Sequence, residues 1–431
     1  MRRTASCTPK AVSSSRIAWL IAAWVTWHRT AARVIDPSRA TATRYSSCLS
    51  VTSFISAVYD LAKQIQLCLG IGPRDSGSKA GEHAQRSAMP SPHVVTLGTA
   101  GGPRWWDRPG AAAARSGIST AVVVGDAIYL VDAGQGAGRQ LARAGLRMDQ
   151  VRALFLTHLH SDHVADLTGL LLFGLFERRE PDVVPLAVHG PGARGNLPPL
   201  SSHANLRPEP VAPANPTPGT AEMIELLCAA HATDLNDRIF DSLTSSPADQ
   251  LAVHDIELPA GTGFDPDHTV APPMEPIEIL RDDRVLVTAT LVDHPPTAPA
   301  YAFRFDTADG SVTISGDTAP CDNLVRLGRD TDLLLHEAID LDAISVRYTD
   351  EAMRRATMEH HRRAHTTPRQ AGEIATAATA RALALHHLVP GDSPASSFLT
   401  ASETFDGPLL IPDDLDVIEF AAGARLRTEV A

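Results

Sequence analysis

The chain is predicted to fold as a layered α/β domain, and three features of its 431 residues lead to that prediction. Strand-like apolar runs alternate with helix-like segments between residues 93 and 385, as they do where helices cover a sheet. The composition, 44% hydrophobic and 20% charged, is that of a globular protein that buries a core. No run approaches the roughly 18 consecutive apolar residues that span a bilayer, which excludes a polytopic membrane protein.

Residues 1–88 differ in composition from the rest and are treated as an N-terminal extension of doubtful order. They carry twelve basic and four acidic side chains, whereas residues 89–431 carry 26 and 46. A Gly- and Ser-rich linker, Gly72 to Ala88, marks the boundary. Three interpretations stay open: a misassigned start with Met89 as the true first residue, an export signal built on the apolar run Ile17 to Trp27, or a small domain.

The body of the chain is acidic and lacks lysine, because Lys10, Lys63 and Lys79 all lie in the extension. Basic side chains that neutralise phosphates drive generic nucleic-acid binding, so this composition favours a small-molecule partner over RNA. The five cysteines are widely spaced without a CxxC pair, which predicts reduced thiols. Reduced thiols favour the cytoplasm, with export as the alternative if residues 1–30 are a signal.

The strands of the body are predicted from short apolar runs rich in β-branched residues. The second and third runs are joined by the turn Gly125-Asp126, which indicates a hairpin. The predicted strands are His93–Leu97, Thr120–Val124, Ala127–Val131, Val151–Leu156, Val285–Val292, Tyr301–Phe305, Val312–Ser315 and Leu383–Leu385.

Helices are predicted between these strands. A short helix covers residues 138–144, and the apolar segment 164–173 is helix-like. A Thr-x-x-Gln capping box at Thr367, followed by proline, predicts a helix that runs to about Ala382.

Residues 196–276 interrupt this alternation of strands and helices. Leu197 to Gly219 is Pro-rich and loop-like, and a helix is predicted over Ala221 to Ala232. The segment is acidic, and it is interpreted as an insertion or cap.

The segment Thr157-His-Leu-His-Ser-Asp-His163 carries the strongest chemical signal in the chain. It follows a buried strand, and side chains two positions apart on an extended segment point the same way. His158 and His160 can therefore converge on one metal ion, while Asp162 and His163 can face a second. Imidazole and carboxylate are ligands that Zn²⁺ accepts.

A site for two metal ions needs more ligands from elsewhere, and three candidates end apolar strands. They are His294, Asp317 and His387. A carboxylate can bridge two cations about 3.5–4 Å apart. His386 precedes His387 directly, and strand alternation sends the two side chains to opposite faces, so only one of them is expected to bind.

These motifs together resemble the metallo-β-lactamase superfamily, in particular the branch of ribonuclease Z and the arylsulfatase-like proteins. The resemblance spans residues 94 to about 391. It implies a four-layer αββα sandwich, here with the inserted Pro-rich acidic segment, as the catalytic domain of residues 89–431. Besides the metal motif, it rests on Leu97-Gly-Thr-Ala-Gly-Gly-Pro103, Asp132-Ala-Gly-Gln-Gly136, Gly190-Pro191-Gly192, Gly316-Asp317-Thr318, His336-Glu337-Ala338 and His365-Thr366-Thr367.

The resemblance also implies roles for individual residues. Two zinc ions are implied, with manganese or iron as alternative metals. His365 matches the family's histidine near the leaving group, and Glu337 is the carboxylate that would orient it. The implied ligands are His158, His160 and His294 for the first ion, Asp162, His163 and His387 for the second, and Asp317 as the bridge.

The mechanism expected from such a site is hydrolysis by a hydroxide held between the two ions, since zinc can lower the pKa of a bound water to about 7. Asp162 would orient the nucleophile or accept its proton, and His365 would protonate the leaving oxygen. Asp132 is expected to support a turn near the site without contacting the metal.

Three classes of function remain at this stage. The preferred one is an arylsulfatase-like hydrolase of a small sulfate, phosphate or related ester, without a membrane partner and with a homodimer left open. The second is a phosphodiesterase of the ribonuclease Z type that processes tRNA 3′ ends. The chain has no basic Gly-rich arm for gripping tRNA, although the arginines 354, 355, 362 and 363 offer a local basic patch. The third is a non-catalytic metal-binding module.

Overall fold

In the computed structural model, two β-sheets face each other. The predicted metal ligands lie at one edge of this pair of sheets. The predictions about an N-terminal extension, an export signal and a start at Met89 fall outside the residues that the model describes. Those residues are 91–106, 114–178, 184–204, 206–421 and 428–430.

The first sheet contains the strands from the N-terminal half of the body and two from its C-terminal end. Their spatial order is β15-β14-β1-β2-β3-β4-β5-β6, where β14 is Asp416–Glu419 and β15 is Thr428–Val430. Strands β3 to β6 are parallel to one another, whereas β1 and β2 pair antiparallel. The first six strands are β1 (His93–Gly98), β2 (Ser119–Val124), β3 (Ala127–Val131), β4 (Val151–Phe155), β5 (Leu186–Pro191) and β6 (Leu251–Ile256).

The second sheet follows in the order β13-β12-β11-β10-β9-β8-β7. Strands β10, β11 and β12 are parallel to one another, and two antiparallel steps through β9 leave β8 pointing the same way. The strands are β7 (Ile277–Arg281), β8 (Leu286–Leu291), β9 (Tyr301–Asp306), β10 (Ser311–Ile314), β11 (Leu333–Ile339), β12 (Leu383–Val389) and β13 (Leu409–Leu410), while β14 (Asp416–Glu419) and β15 (Thr428–Val430) complete the first sheet.

Helices cover the outer faces of both sheets. A π-helical turn at Leu170–Gly174 and 3₁₀ turns at Met148–Gln150 and Ala395–Glu403 supplement them. The α-helices are α1 (Ala137–Arg143), α2 (Ser161–Val164), α3 (Leu167–Gly169), α4 (Leu175–Glu177), α5 (Thr220–Ala230), α6 (Ala232–Asp241), α7 (Pro247–Gln250), α8 (Asp322–Leu327), α9 (Leu341–Ser345), α10 (Glu351–Ala364) and α11 (Pro368–Ala377).

An aromatic and aliphatic core fills the space between the sheets. Phe155 of the first sheet packs against Phe303 and Phe305 of the second, with ring centroids 5.3 and 5.4 Å apart. Separate apolar clusters lie between each sheet and its helices. The chain therefore has the αββα arrangement that the sequence predicted, because each sheet is apolar on both faces.

Several elements of the structure were not predicted from the sequence. Strands β5 and β11 and helix α10 were not predicted, and helix α11 ends at Ala377 instead of about Ala382. Within the predicted insertion, residues 251–256 form the edge strand β6 of the first sheet, so this part belongs to the sandwich. Among the described residues, no helix has the length and apolarity that crossing a membrane requires.

Candidate metal centre

The predicted ligands lie at one edge of the sandwich because the strands that carry them run in the same direction. Strands β8, β10, β11 and β12 all end at this edge of the second sheet. The loop after β4 reaches the same place from the first sheet, where Tyr301 donates its backbone N–H to the carbonyl of Thr157 at 2.9 Å. Polar residues that are distant in sequence thus meet at the strand ends.

Three imidazoles form the first group. The Nε2 atom of His158 lies 3.0 Å from Nδ1 of His160, and Nε2 of His294 lies 3.3 Å from the same atom. His158 and His294 are fully buried, whereas His160 is half-buried. One nitrogen of each ring therefore faces a common point.

Two imidazoles and a carboxylate form the second group. The Nε2 atoms of His163 and His387 are 3.1 Å apart. Oδ2 of Asp162 lies 3.3 Å from Nε2 of His387 and 3.7 Å from Nε2 of His163. Asp162 also accepts a hydrogen bond of 2.7 Å from the backbone N–H of Gly102, which fixes the carboxylate in the group.

Asp317 lies between the two groups with one oxygen toward each. Oδ1 is 3.4 Å from Nε2 of His163 and 3.2 Å from Nε2 of His387. Oδ2 is 3.9 Å from Nε2 of His158 and 4.0 Å from Nε2 of His294. This is the placement expected of a bridging carboxylate.

Partners on the far side of His294 and His160 set which ring nitrogen faces the first group. Nδ1 of His294 donates to the carbonyl oxygen of Ala364 at 2.8 Å, and this leaves the lone pair on Nε2. The other nitrogen of His160 contacts the hydroxyl of Thr297 at 2.6 Å. Such contacts orient imidazoles for metal binding.

Asp132 orients the ring of His163 in the same way, although only a turn-supporting role was predicted for it. Its Oδ2 accepts a hydrogen bond of 2.8 Å from Nδ1 of His163. Its Oδ1 accepts the backbone N–H of Thr157 at 2.8 Å. Asp132 has a φ of 61°, an uncommon left-handed conformation for a residue other than glycine. This backbone conformation, which the sequence does not reveal, brings the Asp132 carboxylate against residues 157–163.

A β-bulge separates His386 from His387. The register of β12 against β11 passes from Glu337 opposite His386 to Ala338 opposite Leu388, so His387 is the extra residue, with a φ of 46°. The ring of His386 instead lies beside Thr120 of the first sheet, 3.4 Å from its hydroxyl. A bulge re-aims a side chain in this way, and only His387 of the pair joins the ligand group.

The ring of His387 packs directly on the backbone of Gly101. A Cβ atom at that position would lie 2.3 Å from the ring, so only glycine leaves room for the histidine. This gives a structural reason for the glycine pair in the motif that follows β1.

His365 and Glu337 form a buried pair beside the two groups. Nδ1 of His365 donates to the carboxylate of Glu337 at 2.9 Å, and the same carboxylate accepts the backbone N–H of Thr318 at 2.7 Å. Burial lowers the pKa of His365, but its hydrogen bond to Glu337 and the negative charges of Glu337, Asp317 and Asp162 outweigh burial and raise the pKa to about 9. His360 and His361, which the sequence analysis did not consider, have rings 5.9 and 5.6 Å from that of His365.

The electrostatics of the ligand groups suit a cation. Burial lowers the pKa of His158 and of His294 well below the usual value, which keeps their lone pairs free. Burial also disfavours protonation of His163, yet the carboxylates of Asp317 and Asp132 hold its pKa well above the usual value. Negative charge thus accumulates where a metal ion would replace the proton.

The donor atoms have the spacing that two metal ions require. About 2.0–2.1 Å per zinc–nitrogen bond in a tetrahedral site separates neighbouring ligand atoms by about 3.3 Å, and the separations within each group scatter around that value. Oδ1 of Asp317 is buried without a hydrogen-bond partner. An unpartnered buried carboxylate oxygen is costly unless a cation binds it, so the residues present fit a divalent metal site.

Several known proteins are similar to this chain. A family model described as the metallo-beta-lactamase superfamily matches residues 114–191. Ribonuclease Z of Mycolicibacterium gilvum (strain PYR-GCK) is 31% identical over 319 residues, which cover 72% of this chain and 92% of the relative. Ribonuclease Z of Mycobacterium sp. (strain KMS) is 32% identical over 323 residues, which cover 73% and 94%. Among solved structures, the short form of human tRNase Z matches with a TM-score of 0.49 and 20% identity, over 77% of this chain and 100% of that one.

Proposed function

We propose that this chain, which belongs to the metallo-β-lactamase superfamily and is a metal-dependent hydrolase of phosphodiester bonds, acts on RNA as a ribonuclease Z does. The finer form of the proposal is cleavage of precursor tRNA near its 3′ end. It is supported by relatives named ribonuclease Z that align along 92% and 94% of their own lengths.

The sequence-based preference for a small-molecule ester over RNA is wrong in the light of these relatives. It relied on the acidic, lysine-free composition of the body. Net charge is an average over a whole surface, whereas phosphate binding depends on the local arrangement of basic groups. The arylsulfatase-like reading finds no support among the relatives named above.

The observation that supports the proposed chemistry most directly is the position of Asp317, whose two carboxylate oxygens face different ligand groups. One oxygen lies within 3.4 Å of the imidazoles of His163 and His387, and the other lies within 4.0 Å of those of His158 and His294. This supports two bridged cations, and we propose zinc as the metal because imidazole nitrogens dominate the donor set. When bound, such cations supply Lewis-acid polarisation of a phosphoryl oxygen and activation of water.

The chain's own residues complete the mechanism. Asp162 is fixed by Gly102, so it can orient the attacking water and accept its proton. Nδ1 of His365 donates a hydrogen bond to Glu337, so Nε2 is available to deliver a proton to the leaving ribose oxygen. Glu337, fully buried and also bound to the N–H of Thr318, holds the imidazole in that orientation.

The test is cleavage of a precursor tRNA transcript with a 3′ trailer by purified protein loaded with zinc, manganese or iron in separate reactions. We expect a single cut near the 3′ end of the mature sequence with the physiological metal. Asp317→Asn, which keeps the shape but removes the bridging charge, should be inactive. A metal-loaded protein that hydrolyses 4-nitrophenyl sulfate but leaves both the transcript and bis(4-nitrophenyl) phosphate intact would refute the proposal.

A further inference from the structure

Four arginines of α10 form what we call the arginine ridge: Arg354, Arg355, Arg362 and Arg363. They border one groove, with Met358 in its wall. Arg355 and Arg362 are seven positions apart, which is about 10 Å along a helix axis. Two exposed guanidinium groups are therefore spaced along one line by a distance that several nucleotides span.

Only one of the four ridge arginines forms an ion pair within the described residues. Arg354 pairs with Glu351 at 2.5 Å, and both side chains are exposed. The other three arginines form no ion pair with any described residue. Glu359, the acidic residue in the groove, contacts His203 at 3.0 Å, so the insertion provides the opposite wall. The body of the chain carries no lysine, so arginine supplies its fixed positive charge.

The ridge leads into the reaction centre. Helix α10 ends at Ala364, whose carbonyl accepts the hydrogen bond from the metal-facing His294, and the next residue is His365. Arg363 lies close enough to Asp293, the neighbour of His294, to oppose the rise that burial causes in the pKa of that carboxyl. A polyanion held on the ridge would thus reach the catalytic histidine within one helical turn.

We propose that the arginine ridge binds the phosphate backbone of the RNA substrate and guides the scissile bond to the metal centre. This inference rests on the proposed function. It identifies the surface through which the protein would select a long, phosphate-rich substrate. Arginine suits the task, because its planar guanidinium forms paired hydrogen bonds to phosphate oxygens. The ridge supplies locally the charge that the acidic surface as a whole lacks.

The test uses the double variant Arg355→Ala/Arg362→Ala in the full chain loaded with metal. Arg363 is left in place because it lies near Asp293, the neighbour of the candidate ligand His294. We expect the KM for precursor tRNA to rise about tenfold at moderate salt with kcat little changed, and the slope of log KM against log salt to fall by about 1.4, which is roughly 0.7 per lost contact to single-stranded RNA. Hydrolysis of bis(4-nitrophenyl) phosphate, which is too short to reach the ridge, should change less than twofold.

A matched control removes the same charge elsewhere. Arg281 and Arg329 are exposed and lie at the end of the second sheet opposite the metal centre, so Arg281→Ala/Arg329→Ala should leave the KM for RNA unchanged. Arg355→Lys/Arg362→Lys should recover most of the affinity, because it retains the charge. Glu359→Gln should lower the KM, since it removes the one carboxylate from the groove.

The possible results distinguish failure of the ridge proposal from failure of the proposed function. If the wild-type protein cleaves RNA and the ridge double variant has the same KM and salt slope, the ridge is not the docking surface, while the proposed function stands. An equal rise in KM for the control pair would show that only net charge matters, and it would overturn the ridge as well. Failure of the wild-type protein to cleave RNA would instead overturn the proposed function, and the ridge proposal with it. A ridge that binds an acidic protein and ignores RNA would appear as the first of these outcomes.

Discussion

Replacing Asp132 by asparagine should weaken the second metal site selectively. The carboxylate accepts three hydrogen bonds, from Nδ1 of His163 at 2.8 Å, from the backbone N–H of Thr157 at 2.8 Å and from the hydroxyl of Thr157 at 2.9 Å. An asparagine has one acceptor oxygen and one NH₂ group in the same shape. One of the two N–H groups that Asp132 binds must then face another donor.

The expected magnitude follows from this lost contact. Removing the partner that orients a metal-binding imidazole costs about 10–100-fold in metal affinity, or about 1.4–2.7 kcal/mol. Because Asp132 contacts His163 and none of the first group, the loss should appear in the site of His163, Asp162 and His387. If asparagine turns its oxygen toward His163 instead, the buried N–H of Thr157 loses its partner, and the free energy of unfolding should fall by about 1–3 kcal/mol.

The assay is a titration of metal-free protein with zinc in the presence of a chromophoric chelator, which resolves two binding constants. Thr297→Val is the matched control, since its hydroxyl contacts the far nitrogen of His160 at 2.6 Å. It should weaken the first constant and spare the second. Equal weakening of both constants by Asp132→Asn, or two unchanged constants with unchanged stability, would show that the carboxylate does not act through His163.

Three further predictions concern the same centre. His365→Ala should retain both metal ions and lower kcat for RNA by about 10²–10⁴-fold, with the smallest loss for a nitrophenyl ester; a variant that has lost metal would contradict the role as a proton donor. Gly101→Ala should displace the ring of His387, since its Cβ would lie 2.3 Å away, and reduce the metal content toward one ion per chain; two tightly held ions in that variant would mean that His387 is not a ligand. Removing metal with a chelator should lower the melting temperature, because a ligand at about 1,000 times its Kd stabilises by about 4 kcal/mol, and adding zinc should restore it; an unchanged melting temperature would place the metal elsewhere.

The ligand set could be predicted because it depends on local patterns. Two histidines two positions apart after a buried strand must share a side, and polar residues such as Asp317 at the ends of apolar strands stand out against their surroundings. The structure places all seven predicted ligands in the two groups, and whether they hold metal stays a prediction until it is measured. The partner, by contrast, was predicted wrongly, because composition reports total charge and not where arginines gather.

The sequence by itself determined which residues are available for chemistry and that two sheets would present them at their ends. Only the tertiary structure decided how they are oriented. Asp132 reaches His163 through an uncommon backbone conformation. A bulge directs His387 to the ligand groups and His386 to the other sheet. Helix α10 carries its arginines toward His365. The physical reason is that spacing along a chain fixes local periodicity, whereas contacts between distant segments depend on packing that no local pattern specifies.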